Sequence, residues 1–380
     1  MALLRDIVDA VFFPSRAVHG IPVLDGAYSP NQRLERARVL GAPIPAPDDL
    51  APGPDGALYV SSGTSILRCA GTDFAERSVF AELEAPVGAL AWTPDGRLLA
   101  GVSGRGIGAF TAAGRPAGWL ATVGGGTAGG GPIACPLSIV AAADGRIFAT
   151  DGSRHNAPEQ WLTDLMEHRP ASGRLIVCDA DLGGARVIAD GLAWPYGLAL
   201  TPDGHEALVT EAWTHMLAAV PAGGGRAAAR RVLVHNFPAY PARIAPAAGG
   251  GYWLALFAPR AQLTEFVLRE RRFRETMLAE VPPELWIGPS LAAHFNYREP
   301  TQIGRIKKLG IQKPWAPARS YGLVARLDAA GDAVESFHSR VAGTVHGITA
   351  VRAVGARVLA LSKGNDTLVE LPTSSAVRDT

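Results

Sequence analysis

One short pattern returns along most of this chain: small apolar residues, a turn containing glycine, then a second apolar run. It reads LAPGPDGALYVSS from Leu50, LAWTPDGRLLAGV from Leu90, IVAAADGRIFATD from Ile139 and LALTPDGHEALVTE from Leu198. Looser copies are IAPAAGGGYWLALF from Ile244 and VRAVGARVLALS from Val351. Asp-Gly and Gly-Gly between alternating hydrophobics signal hairpins, because their turns need a backbone conformation that glycine adopts without strain. A further strand and turn follow each copy, as in SILRCAGTD from Ser65, GIGAFTAAGR from Gly106 and RLIVCDADLGG from Arg174. About four strands in each of six units predict an all-β fold, a six-bladed β-propeller. Stacked blades explain how one domain reaches 380 residues, a length that alone suggests about two domains. Two β-sandwiches are the competing arrangement.

The last unit, ending in TLVELP from Thr367, lacks an outer strand. ERARVLGAPIPA, from Glu35, precedes the first unit and is predicted to supply it, closing the ring and removing exposed edges. The propeller is therefore expected over residues 35–380, with 1–34 forming an N-terminal helix and arm. Leu4, Ile7, Val8, Val11 and Phe12 recur at helical spacing, and Pro14 ends the run. The helix is expected to pack on the domain rather than touch a membrane, since no basic face accompanies it. Between the fifth and sixth turns lies an insertion from about 259 to 320. RAQLTEFVLRERRFRETMLAEV within it lacks Gly and Pro and reads as a helix. So long an excursion suggests a lid or partner surface. Its basic cluster, Arg305, Lys307, Lys308 and Lys313, reads as a solvated face.

Composition narrows the partners. Lys plus Arg is 36 and Asp plus Glu 35, so no electrostatic footprint for nucleic acid exists. The three cysteines, Cys69, Cys135 and Cys178, are too sparse for a disulfide framework and fit a reducing compartment, so a cytoplasmic location is expected. No transmembrane segment is expected, since charges interrupt the apolar N-terminus. GRGIG after Ser103 lies in a hairpin, not a strand-to-helix turn, and no serine elbow or phosphate loop is visible.

In a propeller the first strand of each unit lines a central channel, and ligands sit at one mouth. The residues just before each repeat turn are Asp48 and Asp49, Val87 and Gly88, Cys135 and Pro136, Trp194 and Tyr196, Ala242 and Arg243, and His346. A histidine there has the pKa for proton transfer near neutral pH. Arg243 suits a carboxylate or phosphate, or equally Asp48 or Asp49. His155, Trp161, Trp194, Trp213 and Tyr240 could wall an aromatic pocket. Asp151 and Glu211 end strands in Thr-Asp and Thr-Glu pairs and read as turn caps. Cys135 reads as a buried small residue before a nucleophile.

The succession TDGSRHNAPEQWLTDLMEHRPASGRLIV, from Thr150, resembles the strictosidine synthase-like family, which is related to gluconolactonase and paraoxonase propellers. APDDLAPGPDGALYV and SYGLVARLDAAG also fit, and the resemblance runs roughly from Leu40 to Leu371. It implies an enzyme acting on a small organic substrate, first of all metal-independent hydrolysis of an ester or lactone, or else a strictosidine synthase-like lyase. Metal-dependent relatives imply ligand positions at Asp48, Cys135, Tyr196 and Ala242, of which only Asp48 keeps a carboxylate. No cofactor is therefore expected, and a divalent cation such as calcium is disfavoured. The resemblance places His346 at an acid/base position. Catalysis is thus assigned to His346, Asp48 and Asp49, and substrate binding to Arg243, Tyr196, Trp194, Cys135, His155 and Trp213. The alternatives are a non-catalytic small-molecule binder with a degenerate metal site, and a scaffold that contacts a protein through the 259–320 insertion.

Overall fold

A computed structural model describes residues 20–124, 129–167, 169–223, 230–292, 307–308, 311–312 and 318–373. The expected N-terminal helix over 4–12 lies outside these residues, as do Arg305, Lys313 and the side chains of Lys307 and Lys308.

After a short strand, β1 (Arg38–Val39), the chain builds six antiparallel four-stranded sheets in sequence order. Blade 1 is β2 (Pro47–Pro52), β3 (Leu58–Ser62), β4 (Ser65–Ala70) and β5 (Glu76–Glu82). Blade 2 is β6 (Val87–Trp92), β7 (Leu98–Val102), β8 (Gly106–Phe110) and β9 (Pro116–Leu120), followed by a ribbon of β10 (Thr122–Val123) and β11 (Gly131–Pro132). Blade 3 is β12 (Pro136–Ala141), β13 (Ile147–Asp151), β14 (Gly173–Cys178) and β15 (Arg186–Leu192), with helix α1 (Trp161–Glu167) between β13 and β14. Blade 4 is β16 (Pro195–Leu200), β17 (Glu206–Glu211), β18 (Met216–Pro221) and β19 (Arg231–Val234).

Blade 5 begins with β20 (Ala239–Pro246) and β21 (Tyr252–Pro259). The insertion then leaves the sheet through α2 (Gln262–Arg269) and α3 (Arg271–Glu280), and includes a ribbon of β22 (Lys307–Lys308) and β23 (Ile311–Gln312). Two helices stand where the sequence reads as one, because Glu270 leaves helical geometry at φ −90°, ψ 81°. The blade resumes with β24 (Gly322–Leu327) and β25 (Ala333–Ser339). Blade 6 is β26 (Ile348–Val354), β27 (Arg357–Ser362) and β28 (Thr367–Glu370), and β1 pairs with β28 as its outer strand. The ring therefore closes with β1, which precedes blade 1, as the missing outer strand predicted.

Repeat turns place glycine where φ is positive, +84° at Gly96 and +69° at Gly204, which disfavours any side chain. Alternation predicts half-buried strands, yet β7, β13 and β14 are buried throughout. The middle strands of a blade have a neighbouring blade on each face, so both of their faces are apolar. Apolar layers fill the gaps between blades. Leu99, Ile107, Ile139 and Ile147 bridge blades 2 and 3, and Leu208, Ile244, Leu254 and Leu323 bridge blades 4 and 5. Each such side chain contributes about 1.5–3 kcal/mol by leaving water. Among the described residues no helix is long and apolar enough to cross a membrane.

Register shifts interrupt all six innermost pairings. The residues skipped by the ladder include Asp48 and Asp49, Gly88, Leu137, Tyr196, Ala242 and Arg243, and Thr349. A bulge frees a residue from sheet pairing and re-aims it. Here the freed residues, drawn from every blade, form a ring around the channel.

Candidate functional site

The inner strands start at one end of the channel, the upper mouth, and finish in the repeat turns at the lower mouth. Arg243 separates the two. Its guanidinium donates to the carbonyl oxygens of Leu137 (Nε 3.1 Å), Asp48 (Nη1 2.7 Å), Thr349 (Nη1 3.5 Å) and Gly88. It pairs with the Asp48 carboxylate at 2.7 Å and that of Asp49 at 3.3 Å, and lies 5.1 Å from the Tyr196 ring centre. One side chain from blade 5 thus contacts all five other blades. Arg243 is fully buried, so it does not present itself to a ligand as expected; its positive charge neutralises the two aspartates instead.

Asp49 is equally enclosed. Its oxygens accept from the backbone N–H of Leu50 (2.8 Å) and Leu90 (3.0 Å) and from Arg352 (3.2 Å). Asp48 is the member of the pair that reaches the upper mouth, where Lys363 donates to its Oδ2. Burial by itself would raise the Asp48 pKa, but Lys363 and Arg243 outweigh it and hold the carboxyl below its ordinary value. Asp48 is therefore ionised at neutral pH.

His346 is placed elsewhere than expected. It is fully buried, its Nδ1 hydrogen-bonded to Ser320 Oγ (2.9 Å) and its Nε2 to the Arg340 carbonyl (2.9 Å). Burial lowers its pKa, so the ring is neutral and both nitrogens are engaged. It braces the start of β26 and has no nitrogen left for a substrate. Cys135 is also fully buried; burial first, then Asp151 and Asp164, push its thiol far up, which removes it as a nucleophile. Asp151 accepts from the Cys135 N–H (2.7 Å) and pairs with buried Arg174, while Glu211 accepts from the Ala193 N–H (2.8 Å). Both are caps, as the sequence suggests.

Two cavities flank Trp194 at the upper mouth. The axial one, about 20 Å³, is lined by Asp48, Lys363, Tyr196, Trp161, Trp194 and Phe257 among others. The second, about 240 Å³, brings together His155, Trp213, Trp194, Asp164, Arg169 and Leu268. The expected aromatic wall therefore exists, except that Tyr240 is buried behind it, 6.1 Å from Trp213. Trp194 stacks on Trp213 at 5.1 Å and 26°. Its backbone sits at φ +55°, an unfavourable conformation for a bulky residue, of the kind that surrounding structure holds in place at binding sites. Its buried indole N–H finds no acceptor among the described residues. Trp213 Nε1 donates to Asp164 (2.8 Å), which fixes the second wall. Burial, reinforced by Asp48, raises the Tyr196 pKa, so its hydroxyl stays protonated beside the carboxylate.

Lys363 and Asp164 were not singled out from sequence. Asp164 lies within the quoted family stretch but carries no periodic signal. Lys363 could have been found by reading across the repeats, because it follows the second strand of its blade where Asp151 and Glu211 end theirs.

A family model described as "SMP-30/Gluconolactonase/LRE-like region" matches residues 54–283, and one described as "Strictosidine synthase-like, N-terminal" matches residues 26–64. The adipocyte plasma membrane-associated protein of Mus musculus is 33% identical over 119 residues, 31% of this chain and 28% of its own length. Protein strictosidine synthase-like 10 of Arabidopsis thaliana is 28% identical over 132 residues, 35% of each chain. The chain thus matches only about a third of the length of these curated relatives. A gluconolactonase from Xanthomonas campestris superposes with a TM-score of 0.57 at 16% identity, covering 93% of this chain and 95% of that one. Regucalcin, a calcium-binding protein from Agrobacterium tumefaciens, superposes at 0.54 and 12% identity, covering 88% and 93%. At these identities the structures speak for the fold alone. With the first family model matching more than half of its residues, the chain belongs to the SMP-30/gluconolactonase/LRE-like family and carries the strictosidine synthase-like N-terminal segment.

Proposed function

We propose that this propeller hydrolyses a small ester or lactone at its upper mouth without a divalent cation. The observation that carries the reading is the Asp48–Lys363 ion pair facing an aromatic-walled cavity. The axial space of about 20 Å³ accommodates one water, with Asp48, Lys363 and Tyr196 as polar neighbours. Asp48 orients that water and accepts its proton as the oxygen adds to the carbonyl carbon. Lys363 supports the negative charge that develops on the carbonyl oxygen, the term on which acyl transfer depends most. As the tetrahedral intermediate collapses and the carbonyl carbon–alkoxy oxygen bond breaks, Asp48 returns the proton to the departing alkoxide oxygen and is again a carboxylate. The unpaired Trp194 N–H suits an acceptor oxygen of the substrate, and the Trp194–Trp213 wall suits a flat body.

The donor set does not fit a hard divalent cation, which takes six or more oxygen ligands. At the four positions that the resemblance singles out, Cys135 offers a protonated thiol, Tyr196 a phenol and Ala242 no donor, while the Arg243 guanidinium already neutralises Asp48. Among the described residues no cluster of three or more His, Cys, Asp or Glu could hold a metal. A second reading, ligand binding without turnover, draws on the fact that both Asp48 oxygens already face cations, which weakens the base.

The test is turnover of aryl acetates and five- and six-membered lactones by the wild type, Asp48→Asn and Lys363→Met. We expect kcat/KM to fall about 10²-fold or more in each variant. Equal turnover in all three removes both residues from the mechanism. Saturable binding by a wild type that turns nothing over establishes the second reading instead.

A further inference from the structure

We propose that the lower mouth is a separate binding site for a small apolar carboxylate, seated with its charged group on Arg352. The cavity there measures about 680 Å³, and all six blades contribute to it. Its size lies within the range of about 300–1,000 Å³ typical of small-molecule pockets. Ala51, Leu90, Ile139, Leu198 and Ile244 give it apolar walls, and Arg352 provides the cation at its inner end.

The charges along the channel say what the occupant should carry. From top to bottom they run Lys363, Asp48, Arg243, Asp49, Arg352, each in contact with the next. Three cations alternate with two carboxylates, so the stack keeps one unneutralised positive charge. Asp48 is shared by two cations at the upper end and Asp49 by two at the lower end. Arg352 makes one 3.2 Å contact with Asp49 and donates once more, to the Val351 carbonyl at 3.0 Å. Its side chain is only 16% exposed, so little water compensates the charge. Burial disfavours the charged form, and nearby Arg243 adds to the effect. A carboxylate on Arg352 would relieve both and complete the alternation.

The rim does not oppose this. Asp144 is paired with Arg146 at 2.7 Å, and Asp203 accepts from Thr201 Oγ1 (2.6 Å) and the His205 N–H (3.0 Å). Partly exposed Trp92 and Ala141 widen the apolar lining for a body of one or two rings. Arg243 blocks the axis between the mouths, so this occupant is distinct from any substrate above it.

The experiment is calorimetric titration of the full chain with 2-naphthoate and with neutral 2-naphthamide. We expect one equivalent of naphthoate to bind and the amide to bind about ten- to hundred-fold more weakly, the worth of a charge-assisted contact. Arg352→Gln should impose a similar loss on naphthoate. Ala141→Trp leaves Arg352 in place but narrows the cavity, and should weaken binding while ester or lactone turnover at the upper mouth persists. Should Arg352→Gln fail to fold because Asp49 loses a counterion, Ala141→Trp and the amide comparison still decide. Absence of naphthoate binding, equal affinity for the amide, or undiminished binding in Ala141→Trp would overturn the proposal.

Discussion

Arg243 shows how much one residue can hold. It sits where the six bulges converge, and its guanidinium gives four carbonyls and two carboxylates a common partner. Removing one member of a buried, hydrogen-bonded ion pair costs about 3–5 kcal/mol, because the charge left behind stays buried. Arg243→Met should therefore lose about that much in urea denaturation, seen as a lower midpoint. Arg243→Lys should restore little of it, since an ammonium lacks the planar fork that reaches several blades at once. An Arg243→Met protein as stable as wild type would show that the axis tolerates uncompensated aspartates. From the sequence, an arginine beside two aspartates was equally consistent with a ligand cation. Deciding between those roles requires the bulge at Pro241–Ile244, which points the side chain inward.

At the scale of elements, the ring depends on a strand of two residues. β1 pairs Arg38 with Glu370 and Val39 with Val369, covering the outer edge of blade 6. The arm around it adds fully buried Leu34 and Leu40, and Glu35 reaches Ser339 and Thr344. Deleting residues 1–42 should cost about 3–6 kcal/mol from the two leucines alone. It should also leave β28 open to edge-to-edge pairing. A lower thermal midpoint with concentration-dependent light scattering is the expected result; a monomer of unchanged midpoint would mean that blade 6 closes without β1. This closure was legible because an incomplete last unit and a spare strand-like segment are both visible in the repeats. The break between α2 and α3 was not, since nothing in LRERRFRE, from Leu268, marks Glu270 off from a continuous helix.

For the molecule as a whole, acid should be the condition that loosens it first. His338 is held neutral with its pKa down to about 4, by burial and then by Arg340, and its ring bonds Tyr321 and Ser336 where the N-terminal arm meets blade 5. Burial also lowers His346. An unfolded histidine takes up its proton near pH 6.5, so below that value the unfolded chain binds more protons than the native one. Stability is therefore full above about 6.5 and declines as pH falls toward about 4. The depressed Asp48 acts in the same direction lower down, its contribution being lost as pH falls below the ordinary carboxylate range. Urea midpoints should hold from pH 7.5 to about 6.5 and fall from there to pH 4.5, and His338→Gln should flatten the slope. A flat wild-type profile over that interval would contradict the assignment. The sequence by itself determined the six-bladed ring, its closure and the aromatic upper mouth, because Asp-Gly turns and apolar strands are local chemistry repeated along the chain. Only the tertiary structure decided what fills the channel. Thr349 and Asp48 meet although they are 301 residues apart, and His346 is turned into the wall while Lys363 is brought to the mouth. Spacing in a repeat tells which residue is nearest the axis; bulges and the balance of buried charge determine which side chain occupies it.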